Sequence, residues 1–281
     1  MRRLIVNADD LGLSKSINEG IARAFRDGIV TYMSVIPTGD AFDDAAQVVN
    51  DLALKEIGAH LALTETAPLS DRSSVRTLTA TGGRFFRGYG RFFPRYLLGM
   101  IDKGQIYAEL KAQMDALRAL NIPVTNLSSH EHVHIIPGIL SLFMQLAREY
   151  KIPSIRLPCE DAHHPRSIHG RYRSLVLSLF VGRMASALPA AEFYRPEHFL
   201  GFIDSGCLTE KRLIEMVSGL HDGTTELVCH PGFLSPGVLD AYPWHKGCEE
   251  ELFALTSPRV RRALDAKGVK LIGYREAITS R

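Results

Sequence analysis

Four places in the chain carry side chains able to hold a cation or move a proton: Asp9-Asp10, His60, the run His130-Glu131-His132-Val133-His134 and His230. Two imidazoles and a carboxylate that leave coordination positions open suit a catalytic divalent ion such as zinc, cobalt, nickel or iron. Such an ion acidifies bound water toward neutral pH or polarises a carbonyl. Each residue also has a plainer reading. Adjacent aspartates at a strand end cap helices and turns, and a lone histidine such as His60 or His230 is commonly a core or surface residue. The alternating histidines are more specific. We expect at most two of the three to aim at one centre. His163, His164 and His169 sit among Pro165, Arg166 and Arg171 with no matching carboxylate, and read as rim or surface residues.

The elements that would position these groups follow from periodicity. Leu4 to Ala8 is an apolar run that stops at the aspartates, a strand followed by a loop. Ser16 with Glu19 three positions on is a capping-box signature for the next helix, which Gly28 closes. Strands are then predicted at Thr31 to Ile36, Ile57 to Ala62, Thr125 to Ser128, Ser154 to Leu157, Thr225 to Cys229 and Val269 to Ile272. Helices are predicted at 40–52, Gln105 to Leu120, Ile139 to Tyr150, and from Ser257 with Pro258 at the first helical position. This alternation predicts an α/β fold, a parallel (β/α) barrel-like domain of about seven strands, closed or nearly so. Asp9, Asp10, His60, His130 and His230 all fall where predicted strands end, which is where barrels build their sites.

Two stretches break the rhythm, 64–103 and 159–200, and read as insertions on the rim of one domain spanning 1–281. The 33 Lys and Arg nearly balance the 31 Asp and Glu, for a net charge of +2, so the basic footprint of a nucleic-acid binder is missing. Cys159, Cys207, Cys229 and Cys248 form no close pair, which fits a reducing cytoplasm. The start of the chain does not read as a signal peptide, and no segment is long enough for a membrane span.

Four segments together resemble the YdjC/ChbG family of carbohydrate deacetylases: Ile5-Val6-Asn7-Ala8-Asp9-Asp10-Leu11-Gly12-Leu13-Ser14, Gly58-Ala59-His60-Leu61-Ala62-Leu63-Thr64, Ser129-His130-Glu131-His132-Val133-His134 and Cys229-His230-Pro231-Gly232. They run in the family's order over nearly the whole chain, and the sequence is most similar to the hopanoid-biosynthesis-associated branch. The resemblance implies a metal-dependent hydrolase of the linear amide C–N bond that removes an acetyl group from an N-acetylglucosamine unit carried on a hopanoid lipid. It implies Asp10, His60 and His130 as ligands of one divalent metal ion, zinc being favoured by the ligand set, with magnesium, cobalt, nickel or iron as alternatives. It makes Asp9 the general base and His230 the general acid for the departing amine. His132 and His134 then orient the metal ligands or touch the sugar, and Arg156 is an anchor for Asp9 or the substrate, or a structural ion pair. Two departures are visible: Leu11 stands where the family has Phe, and Glu131 where it has a histidine. An inward-facing Glu131 would shift metal preference.

The apolar stretch 175–188, with Phe92, Phe93, Tyr96, Leu97 and Leu98, is read either as a helix closing over the barrel or as a rim that meets a lipid tail or membrane surface. Peripheral contact with the inner membrane and a homodimer stay open. So do a deacetylase of soluble chitooligosaccharides, a metal-dependent phosphoester hydrolase and a non-catalytic sugar-binding protein.

Overall fold

In the computed structural model, which describes residues 1–160, 181, 182 and 184–280, seven strands form one parallel sheet. They are β1 (Arg2–Leu11), β2 (Tyr32–Val35), β3 (Ile57–Leu61), β4 (Val124–Ser129), β5 (His198–Leu200), β6 (Gly223–Cys229) and β7 (Lys270–Leu271). The order is β4-β3-β2-β1-β6-β5, and the short β7 pairs with the start of β1. Single parallel bridges, Leu127 to Ile155 and Ser154 to Tyr194, carry the curl on from β4 toward the chain leading into β5. The sheet is therefore a curled, barrel-like wall with helices around it, as the alternation of elements predicted.

Both faces of this wall are buried, for different reasons. Along β1, Leu4, Val6 and Ala8 join the large apolar cluster shared with the surrounding helices, while Ile5, on the opposite face, packs with Tyr32, Tyr194, Ile272 and Tyr274. Above that small apolar plug the interior face turns polar, with Asn7, Asp9, Glu226 and Arg156 all at 1% exposure or less. This polar interior points toward the strand C-termini.

Several boundaries differ from the sequence reading. β1 runs to Leu11, so Asp9 and Asp10 lie within the strand. The next helix, Lys15–Asp27, is capped by Ser14, whose Oγ accepts from the Ile17 N–H; Ser16 already lies in its first turn. The expected strand 154–157 is reduced to the two bridges, and a three-residue strand, β5, emerges inside what read as an insertion. The helix Lys103–Arg118 starts two residues early on an Asp102 cap, whereas Ser257 caps Pro258–Ala266 as expected.

In the rim segment 64–103, Phe92 is fully buried and Phe93 and Tyr96 are partly so, while Leu97, Leu98 and Met100 at the end of the helix Tyr89–Leu97 are 65%, 75% and 58% exposed. Of the apolar stretch 175–188, residues 175–180 and 183 lie outside the described residues, as do His163, His164 and His169. Val181, Met184 and Leu188 are buried against the core, in line with the closing-helix reading for that part. Among the described residues no helix is long and apolar enough to cross a membrane, and Cys159, Cys207, Cys229 and Cys248 form no disulfide.

Candidate active site

Consecutive strand residues normally point to opposite faces, yet both Asp9 and Asp10 reach the same centre. The cause is the backbone of Asp10, which has a φ of 71°, a left-handed conformation that aspartate tolerates better than most residues. The register between β1 and β2 shifts there, between Ala8 and Leu11. As a result His60 Nε2 lies 3.7 Å from Asp9 Oδ2 and 3.5 Å from Asp10 Oδ1. Gly12, with a φ of 111°, completes the turn; a Cβ there would fall 2.5 Å from the Ile36 carbonyl oxygen.

His60 arrives on β3 and is fixed by β4. Its Nδ1 is 2.8 Å from Ser128 Oγ, and that hydroxyl also donates to the Ala59 carbonyl at 3.3 Å. With its own proton spent on Ala59, Ser128 accepts from His60 Nδ1–H, which leaves the Nε2 lone pair facing two carboxylates. Burial, outweighing Asp9 and Asp10, takes His60 down to about 4. His130 follows directly after β4, with Nδ1 3.0 Å from Asp10 Oδ1. Here burial, which favours the neutral ring, is overcome by Asp10, and His130 is raised to about 9. Burial would raise the Asp10 carboxyl, but His130, with smaller help from His245 and His60, holds it well below the usual carboxylate range.

Asp10, His60 and His130 thus bring three ligand atoms within 4.8 Å of one another, all buried. Asp10 Oδ2 and His130 Nε2 are buried without a hydrogen-bond partner. A lone pair facing two carboxylates, beside the orphaned Nε2 of His130, is a donor set that fits a divalent cation.

Arg156 is fully buried and takes no direct part in this group. Its Nη1 donates to Asp9 Oδ2 at 2.6 Å, Nη2 to Asp9 Oδ1 at 2.8 Å, and Nε to Glu226 Oε1 at 2.9 Å. Asn7 Nδ2 and the Tyr274 hydroxyl donate to the two oxygens of Glu226. Burial would raise the Asp9 carboxyl, but Arg156, with smaller help from His60 and His230, holds it well below the ordinary range. Arg156 is therefore the anchor of Asp9, and its full burial removes it from the substrate surface.

The histidine run is not extended. Residues 130–135 form a tight turn with Glu131 and His132 at φ 50° and 54°, so strand alternation does not decide where the three rings point. All three histidines are buried, each with a different partner. His134 Nε2 meets the Arg156 carbonyl at 3.1 Å, an acceptor only, so this nitrogen carries the proton and Nδ1 accepts from Ser129 Oγ at 2.6 Å. His134 braces Arg156 and is 0% exposed. His132 stacks on Phe202, ring centroids 5.0 Å apart, with Nε2 unpartnered. Glu131 is exposed and stands outside the ligand group.

His230 follows β6 and is half-buried. Its backbone N–H donates to Glu251 Oε2 at 2.6 Å and its Nδ1 lies 3.3 Å from Ser205 Oγ. Gly232, two residues on, touches the first helix so closely that a Cβ on Gly20 would fall 2.3 Å from its Cα. That contact fixes the loop carrying His230. Trp244 borders His130 and His230, with ring centroids at 5.4 and 5.7 Å. His245 beside it reaches 3.4 Å from Asp10 Oδ2. Sequence reasoning passed over Trp244, His245, Ser128 and Glu226; the single Trp next to a histidine, between Pro243 and Gly247, was the available signal for the first two.

Known proteins resemble this chain over nearly its whole length. A family model described as YdjC-like protein matches residues 3–266. A carbohydrate deacetylase of Geobacillus stearothermophilus is 31% identical over 98% of both chains. One of Homo sapiens is 30% identical over 96% of this chain and 89% of its own. A solved structure from Enterococcus faecalis V583, named for cellobiose-phosphate cleavage, superposes with a TM-score of 0.79 at 24% identity over 98% of both chains, which shows a shared fold. The chain belongs to the YdjC-like protein family.

Proposed function

We propose that the protein is a metal-dependent carbohydrate N-deacetylase that hydrolyses the acetamide of an N-acetylglucosamine unit, with a hopanoid glycolipid as the carrier of that sugar. The observation that carries this reading is the convergence of Asp9, Asp10, His60 and His130 at the C-terminal ends of β1, β3 and β4, with His230 entering from β6. Carbohydrate deacetylases at 31% and 30% identity over nearly the whole chain support it.

Asp10, His60 and His130 would hold one divalent cation, zinc by ligand type, with magnesium, cobalt, nickel and iron as alternatives. When bound, the cation lowers the pKa of water and polarises the acetamide carbonyl. Asp9, ionised and held by Arg156, takes a proton from the attacking water. His230 delivers a proton to the amide nitrogen as the C–N bond breaks, so that acetate and a free amine leave. Arg156 keeps Asp9 charged and aimed, and His134 keeps Arg156 in place. His132, whose Nε2 is buried without a hydrogen-bond partner, would orient the ligands or touch the sugar.

A phosphoester hydrolase is disfavoured because Arg156, the guanidinium packed against the cluster, is wholly engaged by Asp9 and Glu226. Soluble chitooligosaccharides are the second substrate class; the exposed Leu97, Leu98 and Met100 favour an apolar carrier instead.

The test is acetate release from an N-acetylglucosamine-bearing hopanoid and from diacetylchitobiose, with metal content measured, for wild type, Asp9→Ala and Asp10→Ala. Acetate from wild type alone, with Asp9→Ala metal-replete and inactive, is the expected result. Metal uptake without acetate from either substrate would send the reaction class back to other hydrolases or to a sugar-binding module.

A further inference from the structure

His245 is a buried histidine with no part in the reaction as read above. It lies in the turn Pro243–Gly247, directly after Trp244. The side chain is 1% exposed, and neither ring nitrogen has a hydrogen-bond partner. A buried polar ring with no hydrogen bond made is uncommon and calls for a partner close by.

The geometry names that partner's neighbourhood. His245 Nε2 is 3.4 Å from Asp10 Oδ2, an oxygen that is itself buried and unpartnered, while Oδ1 of the same carboxylate faces His130 at 3.0 Å and His60 at 3.5 Å. The two oxygens of Asp10 are thus divided, one toward the ligand group and one toward His245. His245 falls outside that group of mutually close ligand atoms, so it flanks Asp10 and does not duplicate it. The ring cannot drift easily. Trp244 lies against it with centroids 3.7 Å apart, and a Cβ on Gly247 would fall 2.1 Å from the Gly206 carbonyl oxygen, which wedges the turn in place.

We propose that His245 is a positioning residue of this centre: it takes the outer oxygen of Asp10, fixes the rotation of that carboxylate, and leaves the inner oxygen for the cation. This rests on the reading that Asp10, His60 and His130 hold a divalent metal ion. Partners of this kind, bound to a ligand and not to the metal, commonly change metal affinity ten- to hundredfold.

The experiment is a zinc titration of the purified full chain after chelation, with zinc alone as the probe and no substrate present. His245→Phe keeps a ring against Trp244 but offers no nitrogen; His245→Gln restores an N–H near the Nε2 position. The expected result is a zinc affinity about ten- to hundredfold weaker in His245→Phe, largely recovered in His245→Gln, with metal-free melting temperatures close to wild type. His245→Ala replaces the Phe variant if that one does not fold. Wild-type affinity in His245→Phe overturns the inference alone. An affinity in His245→Gln as weak as in His245→Phe also overturns it, since packing or direct ligation would then account for the residue. A wild type that takes up no zinc or other divalent ion removes the metal reading and this inference together.

Discussion

Arg156 grips Asp9 with both guanidinium arms, Nη1 2.6 Å from Oδ2 and Nη2 2.8 Å from Oδ1, and both side chains are sealed from water. A carboxylate buried there without the arginine would be pushed toward its neutral form. With the arginine it stays ionised far into acid, so a base is on hand at every working pH, although a weak one. Arg156→Met should lift the Asp9 pKa, move the acid limb of the kcat/KM profile to higher pH, and cost about 3–5 kcal/mol of stability through an uncompensated buried charge. Arg156→Lys, which keeps the charge but loses the two-pronged fit, should do less of each. The pH–rate profile and a denaturant titration measure both effects; an acid limb that stays put in Arg156→Met would show that Asp9 does not set it.

The same pair shows why parts of the site were legible in the sequence and others were not. Apolar runs marked most strands, and the metal-capable residues stood at their ends, because that is a one-dimensional pattern. The interior of the curled sheet is polar, with Asn7 and Asp9 on β1 and Glu226 on β6, so the end of β1 looked like a loop. Left-handed residues at Asp10, Glu131 and His132 re-aim side chains with no glycine to announce it. β5 has only three residues, too few for any periodicity, and His245 acquires its neighbour Asp10 solely through the fold.

Acid should loosen the brace behind Arg156. His134 is taken down to about 3 by burial first and the nearby Arg156 charge second, against the hydrogen bond to the Arg156 carbonyl, while its unfolded value is 6.5. The unfolded chain therefore binds a proton that the folded chain refuses, so this contribution is whole above pH 6.5 and is lost as pH falls toward 3. Going from about pH 7.5 to about pH 5 the loss amounts to roughly 2 kcal/mol. His134→Gln, which cannot titrate but can still donate to the Arg156 carbonyl, should show a flatter dependence. Urea midpoints at the two pH values decide it, and an equal slope in both proteins would mean that other groups carry the acid sensitivity.

Enzyme and binding module part company at His230. The residue is half-buried and outside the ligand group, so His230→Asn should leave metal content unchanged. Loss of a general acid typically lowers turnover by about 10²–10⁴, and the basic limb of the pH–rate profile should go with it. Acetate release and metal analysis on the same preparation provide the check. A variant within about twofold of wild type would take the proton donor's role away from His230.

The rim helix makes the substrate question answerable without a complex. Leu97, Leu98 and Met100 are exposed where the helix Tyr89–Leu97 ends, and the Tyr96 hydroxyl donates to the Pro137 carbonyl, which places this patch beside the turn bearing His130 to His134. Water gains nothing from three large apolar side chains within four residues, whereas an apolar carrier of the sugar would cover them. Covering a leucine contributes about 1 kcal/mol or more, so the double change Leu97→Ser and Leu98→Ser should raise KM for a lipid-linked N-acetylglucosamine by about tenfold or more. Both positions are exposed and the core stays intact, so kcat/KM for diacetylchitobiose should not move. Equal losses on the two substrates would trace the effect to the fold of the rim, and no loss on either would leave the soluble sugars as the substrate class.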